Sequence, residues 1–452
     1  MSQFQIVEEF QKFLESRQSV DPEYVRREVY YLAANCAAEG LDLHVPLYPL
    51  FLNPEIVARY DRFGQLVHLA LERILEVLMQ PEHPAGPLMR SFLTIQPEIE
   101  RILMTQPRGG VMPRVIRPDT VLHENRIITH EFNVSWPGGI SDSDIIVDML
   151  GRNDLYRDFA GLMAEAGHPI PEPPPFKSTS LLLDEILEAA DTDNPYIAVV
   201  IATPDVPGFD GDQIKLSERI CNFIQEQGHE VDLMYARDVE YDGTPHHQGR
   251  KIDVVYRIFE WGHVMNYHTE EYEPLIQAYC DGNLPVVNSF HGEALSAKSI
   301  FELLHCEELH PLFDDLPLDE LLDAIPYTVN IARVDEPEEI VEQREEWVLK
   351  RIKGSSGDAV LIGPETDDET WEHAVRHGVE TGSMVLQEYV DSPMMLMSMF
   401  PGEALVQVPR YVDLGPLLFS GRVGNFLARF SSTMMTSFVS MGGGMFPVMP
   451  ME

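Results

Sequence analysis

The apolar positions of residues 1–110 recur at the spacing of amphipathic helices. The clearest run extends from Ile56 to Leu75, where apolar side chains return every three or four residues. Asp21-Pro22 and Asn53-Pro54 each place a capping side chain directly before a proline, which favours the first position of a helix. These patterns predict a helical region that packs as a layer or lid and carries no chemistry.

Two strands and a glycine turn are predicted next. The stretch VIRPDTVLHENRIITHEFNV has the pattern of a hairpin whose turn lies around His123-Glu124-Asn125. Pro137-Gly138-Gly139 predicts a second turn, and the segment after it predicts a helix with Ser141 or Ser143 as its cap. Residues 169–177, PIPEPPPFK, predict a stiff, extended connector and a domain boundary.

Residues 195–290 alternate between strand and helix patterns. The apolar run YIAVVIATPD is typical of a strand buried on both faces, and amphipathic segments ending at Gly228 and Gly282 follow it. The alternation predicts a small open parallel α/β sheet. Because no GxGxxG follows the first strand, a dinucleotide site there has little support.

Strand patterns dominate the C-terminal part of the chain. WVLKRI, AVLIG, SMVLQEYV and EALVQVPRYVDLG predict strands, and DDETWEHAVRHGVETG predicts a helix between the second and the third. The acid-rich residues 308–346 are typical of a solvated face. Together the patterns predict an α/β (α+β) protein divided into residues 1–110, 111–177, 178–307 and 308–452.

Length and composition are those of a globular protein of two or three domains. The chain has 452 residues, of which 44% are apolar and 23% charged, and this excludes a disordered or fibrous chain. Asp and Glu number 74 against 32 Lys and Arg, a net charge of −42. Such a surface repels phosphate backbones and anionic lipids, so we expect neither nucleic-acid nor membrane-surface binding. With only seven lysines in the chain, the position of each lysine becomes informative.

Cysteine usage and hydropathy predict a cytoplasmic protein. Cys36, Cys221, Cys280 and Cys306 show neither CxxC nor Cys/His metal spacing, so we expect reduced thiols. No segment approaches the roughly 18 consecutive apolar residues of a membrane span. The first residues, MSQFQIVEEFQKF, lack the apolar stretch of a signal peptide.

Arg117, Asp119, Glu131 and Asn133 form the first cluster of candidate functional residues. The two members on each predicted strand are two residues apart, so their side chains project from the same face. If the strands pair, two carboxylates and an amide oxygen converge in a set of oxygen ligands suited to Mg²⁺, with Arg117 beside it for an anion. The alternative is an edge hairpin whose polar face is simply hydrated.

Lys350, Lys353, Gly354 and Gly357 form a second cluster, within WVLKRIKGSSGDAVLIG. A loop of glycine and serine between two strands can offer backbone N–H groups to phosphates without obstruction by Cβ atoms. The loop lacks the spacing of a P-loop, and an ordinary hairpin turn is the alternative.

Two further features carry a weaker signal. Gln387, Glu388 and Val390 lie where a predicted strand enters a linker, so the backbone edge there can contact a planar base. An ordinary strand end has the same pattern. Lys298 begins a predicted helix directly after the α/β segment, and a solvated surface lysine is the alternative.

Taken together and in this order, the motifs resemble the circularly permuted ATP-grasp ligases, the family that includes glutathionylspermidine synthetase. The resemblance rests on R-x-D at Arg117–Asp119, E-x-N at Glu131–Asn133, the lysine Lys298, V-L-K-x-x-x-G-x-x-G at 348–357 and Q-E-Y-V at Gln387–Val390. The acidic residues precede the lysines, which is the permuted order. The matched segments span roughly residues 115–440.

The resemblance implies an ATP-grasp fold in permuted order, with metal-binding strands in 111–177, a pre-ATP-grasp-like domain in 178–307 and the nucleotide-binding part in 308–452. It implies ATP and Mg²⁺ as cofactors. The implied roles are metal binding for Asp119, Glu131 and Asn133, catalysis for Arg117 and Arg429, nucleotide binding for Lys298, Lys350, Lys353, Gly354, Gly357, Gln387, Glu388 and Val390, and contact with the acceptor substrate for Gly138, Gly139 and Ser141. Arg351 stands where the family usually has proline, and GSSGDA is poorer in glycine than the family's loop.

The function that the resemblance implies is ATP-dependent carboxylate–amine ligation, in which an amide or peptide bond forms through an acyl-phosphate intermediate. The expected substrates are a small-molecule or peptide carboxylate and an amine, and the expected assembly is a homodimer. Two alternatives stay open: kinase-like phosphoryl transfer at the same ATP site, and a catalytically inactive ATP-grasp-like binding protein. Nothing in the sequence matches an amidase domain.

Overall fold

The structure is a computed structural model. It describes residues 3–123, 125–173, 177–206, 211–267, 269–354, 360–400, 402, 404–436 and 442–451. Three predicted features fall partly or wholly outside these ranges: Glu124 of the hairpin turn, residues 174–176 of the connector and Gly357 of the phosphate loop.

Helices and strands alternate along most of the described chain. The helices are α1 (Gln3–Val20), α2 (Pro22–Ala38), α3 (Pro54–Leu78), α4 (Gly86–Leu93), α5 (Pro97–Leu103), α6 (Ile140–Arg152), α7 (Asp154–Glu165), α8 (Lys177–Ala190), α9 (Gly211–Glu226), α10 (Trp261–Val264), α11 (Glu273–Cys280), α12 (Ile300–His305), α13 (Leu318–Leu322), α14 (Pro337–Glu342) and α15 (Asp368–Thr381). The strands are β1 (Leu50–Leu52), β2 (Val115–His123), β3 (Arg126–Asn133), β4 (Tyr196–Ile201), β5 (Glu230–Tyr235), β6 (Glu240–Tyr241), β7 (Pro245–His247), β8 (Arg250–Lys251), β9 (Val254–Ile258), β10 (Val286–Val287), β11 (Thr328–Asn330), β12 (Trp347–Arg351), β13 (Val360–Ile362), β14 (Met384–Glu388), β15 (Met394–Met399), β16 (Val406–Phe419), β17 (Arg422–Ser431), β18 (Gly444–Phe446) and β19 (Val448–Pro450).

The N-terminal region is helical, as predicted, and both expected caps are present. The Asp21 carboxylate accepts a hydrogen bond from Tyr24 N at 3.0 Å, and Asn53 Oδ1 accepts one from Ile56 N at 2.8 Å. The sequence pattern did not predict strand β1, which pairs in parallel with β19 near the C-terminus. This pairing and a shared apolar core join the helices to the last strands. The domain boundaries stay a prediction.

The largest sheet carries the predicted metal-binding strands. Its strand order is β18-β17-β16-β2-β3, and β15 pairs with β16. Strands β2 and β3 form the predicted antiparallel hairpin, with Asn125 at a φ of 65° in the turn. On its other side β2 pairs with β16, so residues from the C-terminal part of the chain, Asp413 among them, lie beside the hairpin.

Helix α6 follows the glycine turn, but its cap differs from the prediction. Ser141 and Ser143 lie inside the first turn of α6, and Gly139 occupies the N-cap position with a φ of 100°. A Cβ atom on Gly139 would lie 2.6 Å from Leu427 Cδ2, so only glycine fits both this backbone conformation and this space. The serine-cap prediction was therefore wrong, because the glycine decides where the helix begins.

The predicted open parallel sheet is present between residues 196 and 287, in the order β10-β9-β4-β5. Every residue of β4 is buried, as expected for a central parallel strand. Helices α9 and α11 end just before Gly228 and Gly282, whose φ angles are 91° and 72°. The stretch LPVVNSF forms only the short β10, and a small antiparallel sheet, β6-β7-β8, was not predicted.

A four-stranded antiparallel sheet, β11-β14-β12-β13, holds the predicted lysine strand β12. We call it the lysine sheet. Helix α15, with the buried Trp371, packs against it. Lys298 N donates to Ile352 O at 2.8 Å, just beyond β12, and Thr129 N of β3 donates to Ala324 O at 2.7 Å. These two backbone hydrogen bonds tie the segments around the lysine sheet to Lys298 and to the hairpin.

The four cysteines carry free thiols, as expected. Cys36 and Cys221 are buried, whereas Cys280 and Cys306 are partly exposed. Within the described ranges, no helix combines the length and the apolar character needed to cross a membrane.

Candidate active site

The β2–β3 hairpin places the first cluster of predicted residues on two facing strands. Asp119 pairs with Glu131, and Arg117 pairs with Asn133, in the antiparallel register. The register shifts by one residue just after Asp119, which leaves His130 as the extra residue of β3. A β-bulge of this kind redirects a side chain and is common beside active sites. His130 accordingly lines the same cavity as its neighbour Glu131.

Asp119 lies between two guanidinium groups. Arg117 Nε is 2.9 Å from its Oδ1, and Arg429 Nη2 is 2.9 Å from its Oδ2. Arg429 also binds Asp413, its cross-strand neighbour, through Nε at 3.0 Å and Nη2 at 2.7 Å. Burial by itself would raise the pKa of the Asp119 carboxyl, but the charges of Arg117 and Arg429 outweigh burial and hold that pKa below the ordinary value. Asp119 is therefore an anion at neutral pH.

Arg117 and Asn133 each keep polar atoms free for a ligand. Asn133 Nδ2 donates to Arg117 O at 3.0 Å, and no hydrogen bond between described residues uses Asn133 Oδ1. Arg117 Nη1 donates to Gly138 O at 2.7 Å and Nε donates to Asp119, while Nη2 makes no hydrogen bond within the described ranges. An amide oxygen and one edge of a guanidinium group are thus available beside the two carboxylates.

Lys298 joins the hairpin to the start of the predicted phosphate loop. Its Nζ lies 2.5 Å from Glu131 Oε1 and 2.6 Å from Gly354 O. The side chain of Lys298 is 8% exposed and that of Glu131 is 30% exposed, so the pair is largely shielded from water. The ammonium group therefore holds β3, the predicted metal-binding strand, and Gly354 together.

Lys350 extends from β12 toward the hairpin. Its Nζ donates to Gln387 Oε1 at 2.6 Å and to His130 O at 3.2 Å, and Gln387 Nε2 donates in turn to Thr328 Oγ1 at 3.0 Å. Burial lowers the pKa of Lys350 to about 8, an effect that nearby Glu131 opposes. At neutral pH the side chain is still mainly cationic, at the junction between the lysine sheet and the hairpin.

A cavity of about 560 Å³ lies where the hairpin, the lysine sheet and the parallel α/β sheet meet. The predicted functional residues that line this cavity are Arg117, Asp119, Glu131, Asn133, Gly138, Gly139, Lys298, Lys350, Gln387, Glu388, Val390 and Arg429. Apolar side chains of Val348, Val360 and Ile362 line its lysine-sheet side. The acidic residues of the early hairpin and the lysine of the late strand therefore border one common space.

Comparison with known proteins defines the fold. No protein-family model matches the chain, and no curated protein matches its sequence. The apo structure of a glutathione synthetase-like effector, GSS30, from Globodera pallida is similar over 95% of this chain and 98% of its own, with a TM-score of 0.63 and 11% sequence identity. The chain has an ATP-grasp-type fold.

Two further solved structures overlap less closely. One is a protein provisionally named a gamma-glutamylcysteine synthetase, from Methylobacillus flagellatus, with 11% identity, 82% of this chain and 83% of its own covered, and a TM-score of 0.39. The other is D-alanyl-alanine synthetase A from Vibrio cholerae, with 9% identity, 57% and 89% covered, and a TM-score of 0.30. At these values the likeness adds nothing to what the first comparison shows of the fold.

Three of the predicted residues that the structure describes do not line the cavity of this ATP-grasp-type fold. Lys353 is exposed to solvent. Gly354 contributes its carbonyl oxygen to Lys298. Ser141 lies in α6, where its Oγ donates to Leu216 O at 3.4 Å and borders a much smaller neighbouring space. Gly357 lies outside the residues that the structure describes.

Several cavity residues were missed from the sequence. They are His130, Trp136, Asp142, Gln213, Glu260, His263, Tyr389, Asp413 and Met434–Thr436. His130 and Asp142 stand close in sequence to predicted residues, but only the bulge and the start of α6 bring them to the cavity. Glu260 and Asp413 belong to other elements, and no local pattern marks them.

The oxygen atoms around the hairpin fit Mg²⁺ that arrives together with a nucleotide. No group of three or more His, Cys, Asp or Glu side chains in the described part of the chain is arranged to hold a metal ion alone. Asp119 and Glu131 nevertheless supply two carboxylates beside the free Oδ1 of Asn133. Because Mg²⁺ keeps several waters and takes further ligands from phosphates, three protein ligands of this chemistry suffice.

Proposed function

We propose that the protein is an ATP-dependent ligase that joins a carboxylate to an amine through an acyl phosphate. The observation that supports this most is the common cavity, where Asp119 and Glu131 of the hairpin lie beside Lys350 of the lysine sheet. Acidic metal ligands and phosphate-binding cations around one space are what phosphoryl transfer from a nucleotide requires. The ATP-grasp-type fold supports the same assignment.

The nucleotide base is assigned to the lysine-sheet side of the cavity. Val348, Val360 and Ile362 form an apolar wall there, which suits the faces of a purine ring. At the adjoining strand end, Glu388 N donates to Tyr327 O at 2.8 Å. The Val390 N–H makes no hydrogen bond within the described ranges, so it is the donor that we assign to the base.

The phosphates are assigned to the centre of the cavity. Lys298 and Lys350 would contact them, and Asp119, Glu131 and Asn133 would hold Mg²⁺ on them. When bound, Mg²⁺ supplies the charge neutralisation that lets an anionic carboxylate approach the terminal phosphorus atom. Lys298 is already bound to Glu131, so its ammonium group needs to move only from a carboxylate to a neighbouring phosphate.

The two arginines stabilise charge at the reacting groups. Arg117 presents its unused Nη2 edge toward the same cavity as Asp119, where it can bind the transferring phosphoryl group or the oxyanion of the tetrahedral intermediate. Arg429 is held by both Asp119 and Asp413, so its position is fixed before any substrate binds. Preorganised charges of this kind act without reorganisation during the reaction.

A substrate screen tests the proposed function. Purified protein is incubated with ATP, Mg²⁺ and pairs drawn from amino acids, short peptides and polyamines, and both phosphate release and product mass are measured. A ligase releases ADP and phosphate only when a carboxylate and an amine are both present, and its product has the mass of the two substrates less one water. An Asp119→Ala variant serves as the inactive control.

Two other outcomes would contradict the proposal. Transfer of phosphate to a hydroxyl group, seen as a product heavier by one phosphoryl group without release of phosphate, would indicate a kinase. Binding of ATP without turnover across the whole panel would indicate a binding protein that keeps the fold.

A further inference from the structure

Glu260 is an acidic residue of the cavity that the proposed reaction has not yet used. It follows β9 of the parallel sheet and directly precedes α10. It lines the same cavity as Glu131. Within the described ranges, its carboxylate forms neither an ion pair nor a hydrogen bond with another side chain. Its position brings a carboxylate with no direct ion-pair partner among the described residues from the end of β9 to the proposed reaction centre.

The turn that carries Glu260 is fixed by a buried ion pair. Glu293 accepts hydrogen bonds from the next two backbone N–H groups, Trp261 N at 2.8 Å and Gly262 N at 3.1 Å. Arg257 Nη1 lies 2.9 Å from Glu293 Oε1, and both side chains are almost completely buried. A buried carboxylate is costly unless it is paired, so this arrangement holds the turn in one conformation.

The same arginine connects the turn to the metal-binding strand. Arg257 Nη2 donates to Ser135 O at 2.9 Å, two residues after Asn133 of β3, and Arg257 Nη1 donates to Phe259 O at 2.6 Å. Glu260 is thus tied, through one fully buried side chain, to the strand that carries Glu131. The distance between the two carboxylates is therefore set by the fold, not by a flexible loop.

The charges around Glu260 favour proton exchange near neutral pH. Burial raises the pKa of Glu260 to about 7, and the neighbouring carboxylates of Glu293 and Glu131 act in the same direction. The cations that face it, Arg257 and Lys298, oppose this change only in part. A carboxyl group with these properties can accept a proton and release it again under ordinary conditions.

We infer that Glu260 binds the amine substrate as its ammonium ion and accepts the proton that the nitrogen must lose before it attacks. This inference rests on the proposed ligase function and names the second substrate as a cationic amine. The neutral amine then forms a C–N bond with the acyl carbon, while the C–O bond to phosphate breaks. The second nitrogen proton leaves with the phosphate, and protonated Glu260 returns its proton to solvent.

Hydroxylamine separates proton transfer from the earlier steps. It is largely uncharged at neutral pH, so it can trap an acyl phosphate as a hydroxamate without a base. Wild type and Glu260→Gln are each assayed with ATP, Mg²⁺ and a panel of amino acids and glutathione as carboxylates. Hydroxylamine, and in parallel ethanolamine, 1,3-diaminopropane and glycine, serve as nucleophiles. Glu226→Gln, an exposed change on α9, is the matched control.

We expect Glu260→Gln to form hydroxamate at a rate within about threefold of wild type and to lose at least a hundredfold in amide formation with the alkylamines. The rise of amide formation between pH 6 and 8 should also disappear, while Glu226→Gln behaves as wild type. Glu260→Asp, which keeps the charge on a shorter side chain, should recover part of the amide rate. That recovery, together with retained hydroxamate formation, shows that the loss does not come from misfolding.

Two results would overturn the inference, and they differ from one another. If Glu260→Gln formed hydroxamate and amide at equally reduced rates, or if neither rate fell, the role of Glu260 would be refuted. The ligase proposal would stay intact in both cases. Absence of hydroxamate from the wild-type protein with every carboxylate would refute the ligase proposal itself, and the inference with it.

Discussion

Lys298 and Glu131 are in direct contact, with Nζ 2.5 Å from Oε1, although the two residues come from different parts of the chain. The same ammonium group lies 2.6 Å from Gly354 O. A proposed metal ligand is thus neutralised by one of the proposed phosphate-binding cations. Nucleotide and Mg²⁺ together would replace both contacts, because the metal takes the carboxylate and the phosphates take the lysine.

Replacing Lys298 with methionine should weaken nucleotide binding. The substitution keeps an unbranched side chain one atom shorter but removes the charge that would pair with phosphate, so we expect the Kd for a Mg²⁺-bound, non-hydrolysable ATP analogue to rise at least about tenfold, which is ~1.4 kcal/mol. Titration calorimetry measures this directly. Lys12→Met, an exposed change on α1, is the control, and equal affinity of the two variants would argue against the assigned role of Lys298.

Replacing Glu131 with alanine should abolish turnover and leave the fold intact. Glu131 is partly exposed at the cavity, and among the described residues it pairs with Lys298, so its loss removes a proposed metal ligand without opening the apolar core. We expect ATP consumption to fall at least about a hundredfold, which is ~2.7 kcal/mol of transition-state stabilisation. Circular dichroism checks the fold, and Glu308→Ala is the exposed control. Normal ATP consumption by folded Glu131→Ala would contradict the metal assignment.

Lys350 should make the free energy of unfolding depend on pH in alkaline solution. Burial lowers its pKa to about 8 in the folded protein, below the ordinary lysine value of 10.5. Between these two values the unfolded chain binds more protons than the folded protein, so stability rises as pH rises through this window. The size of this rise is at most about 3 kcal/mol.

Urea denaturation of wild type and Lys350→Met between pH 7 and 10.5 measures this effect. The other titrating groups are present in both proteins, so their contributions to the pH dependence largely cancel in the difference between the two unfolding free energies. The unfolding free energy of wild type relative to the variant should increase with pH. A constant or falling difference would show that the ammonium group of Lys350 is not destabilised by burial.

Replacing Asp413 with asparagine should destabilise the protein. Asp413 is 4% exposed and receives hydrogen bonds from Arg429 at 3.0 Å and 2.7 Å. The neutral amide removes one of the two carboxylates that pair with the buried guanidinium of Arg429, and removing one partner of a buried ion pair costs about 3 kcal/mol.

Urea denaturation at neutral pH measures the loss, and a matched exposed pair provides the comparison. Glu372→Gln removes the surface partner of Arg376 on α15, where we expect less than about 1 kcal/mol. If Asp413→Asn were no more destabilising than Glu372→Gln, the pairing with Arg429 would not contribute to stability as its burial implies.

Local patterns predicted the hairpin, the two proline-preceding caps and the parallel sheet because each depends on residues near one another in the chain. Alternation fixes which side chains share a face of β2 and β3, so Asp119 and Glu131 were expected on one side before their pairing was seen. The cap at the start of α6 was mispredicted, because a contact between Gly139 and the distant Leu427 decides it. The pairing of β1 with β19 was not predicted, because it too depends on residues far apart in the chain.

The sequence by itself determined which residue types are candidates for the proposed chemistry and which strands and turns present them. Only the tertiary structure decided which of these strands border the same space, and it added residues such as Glu260 and Asp413 that no motif marks. The physical reason is that propensity and periodicity act over a few residues. The order of strands in a sheet and the packing of one sheet on another bring together residues hundreds of positions apart.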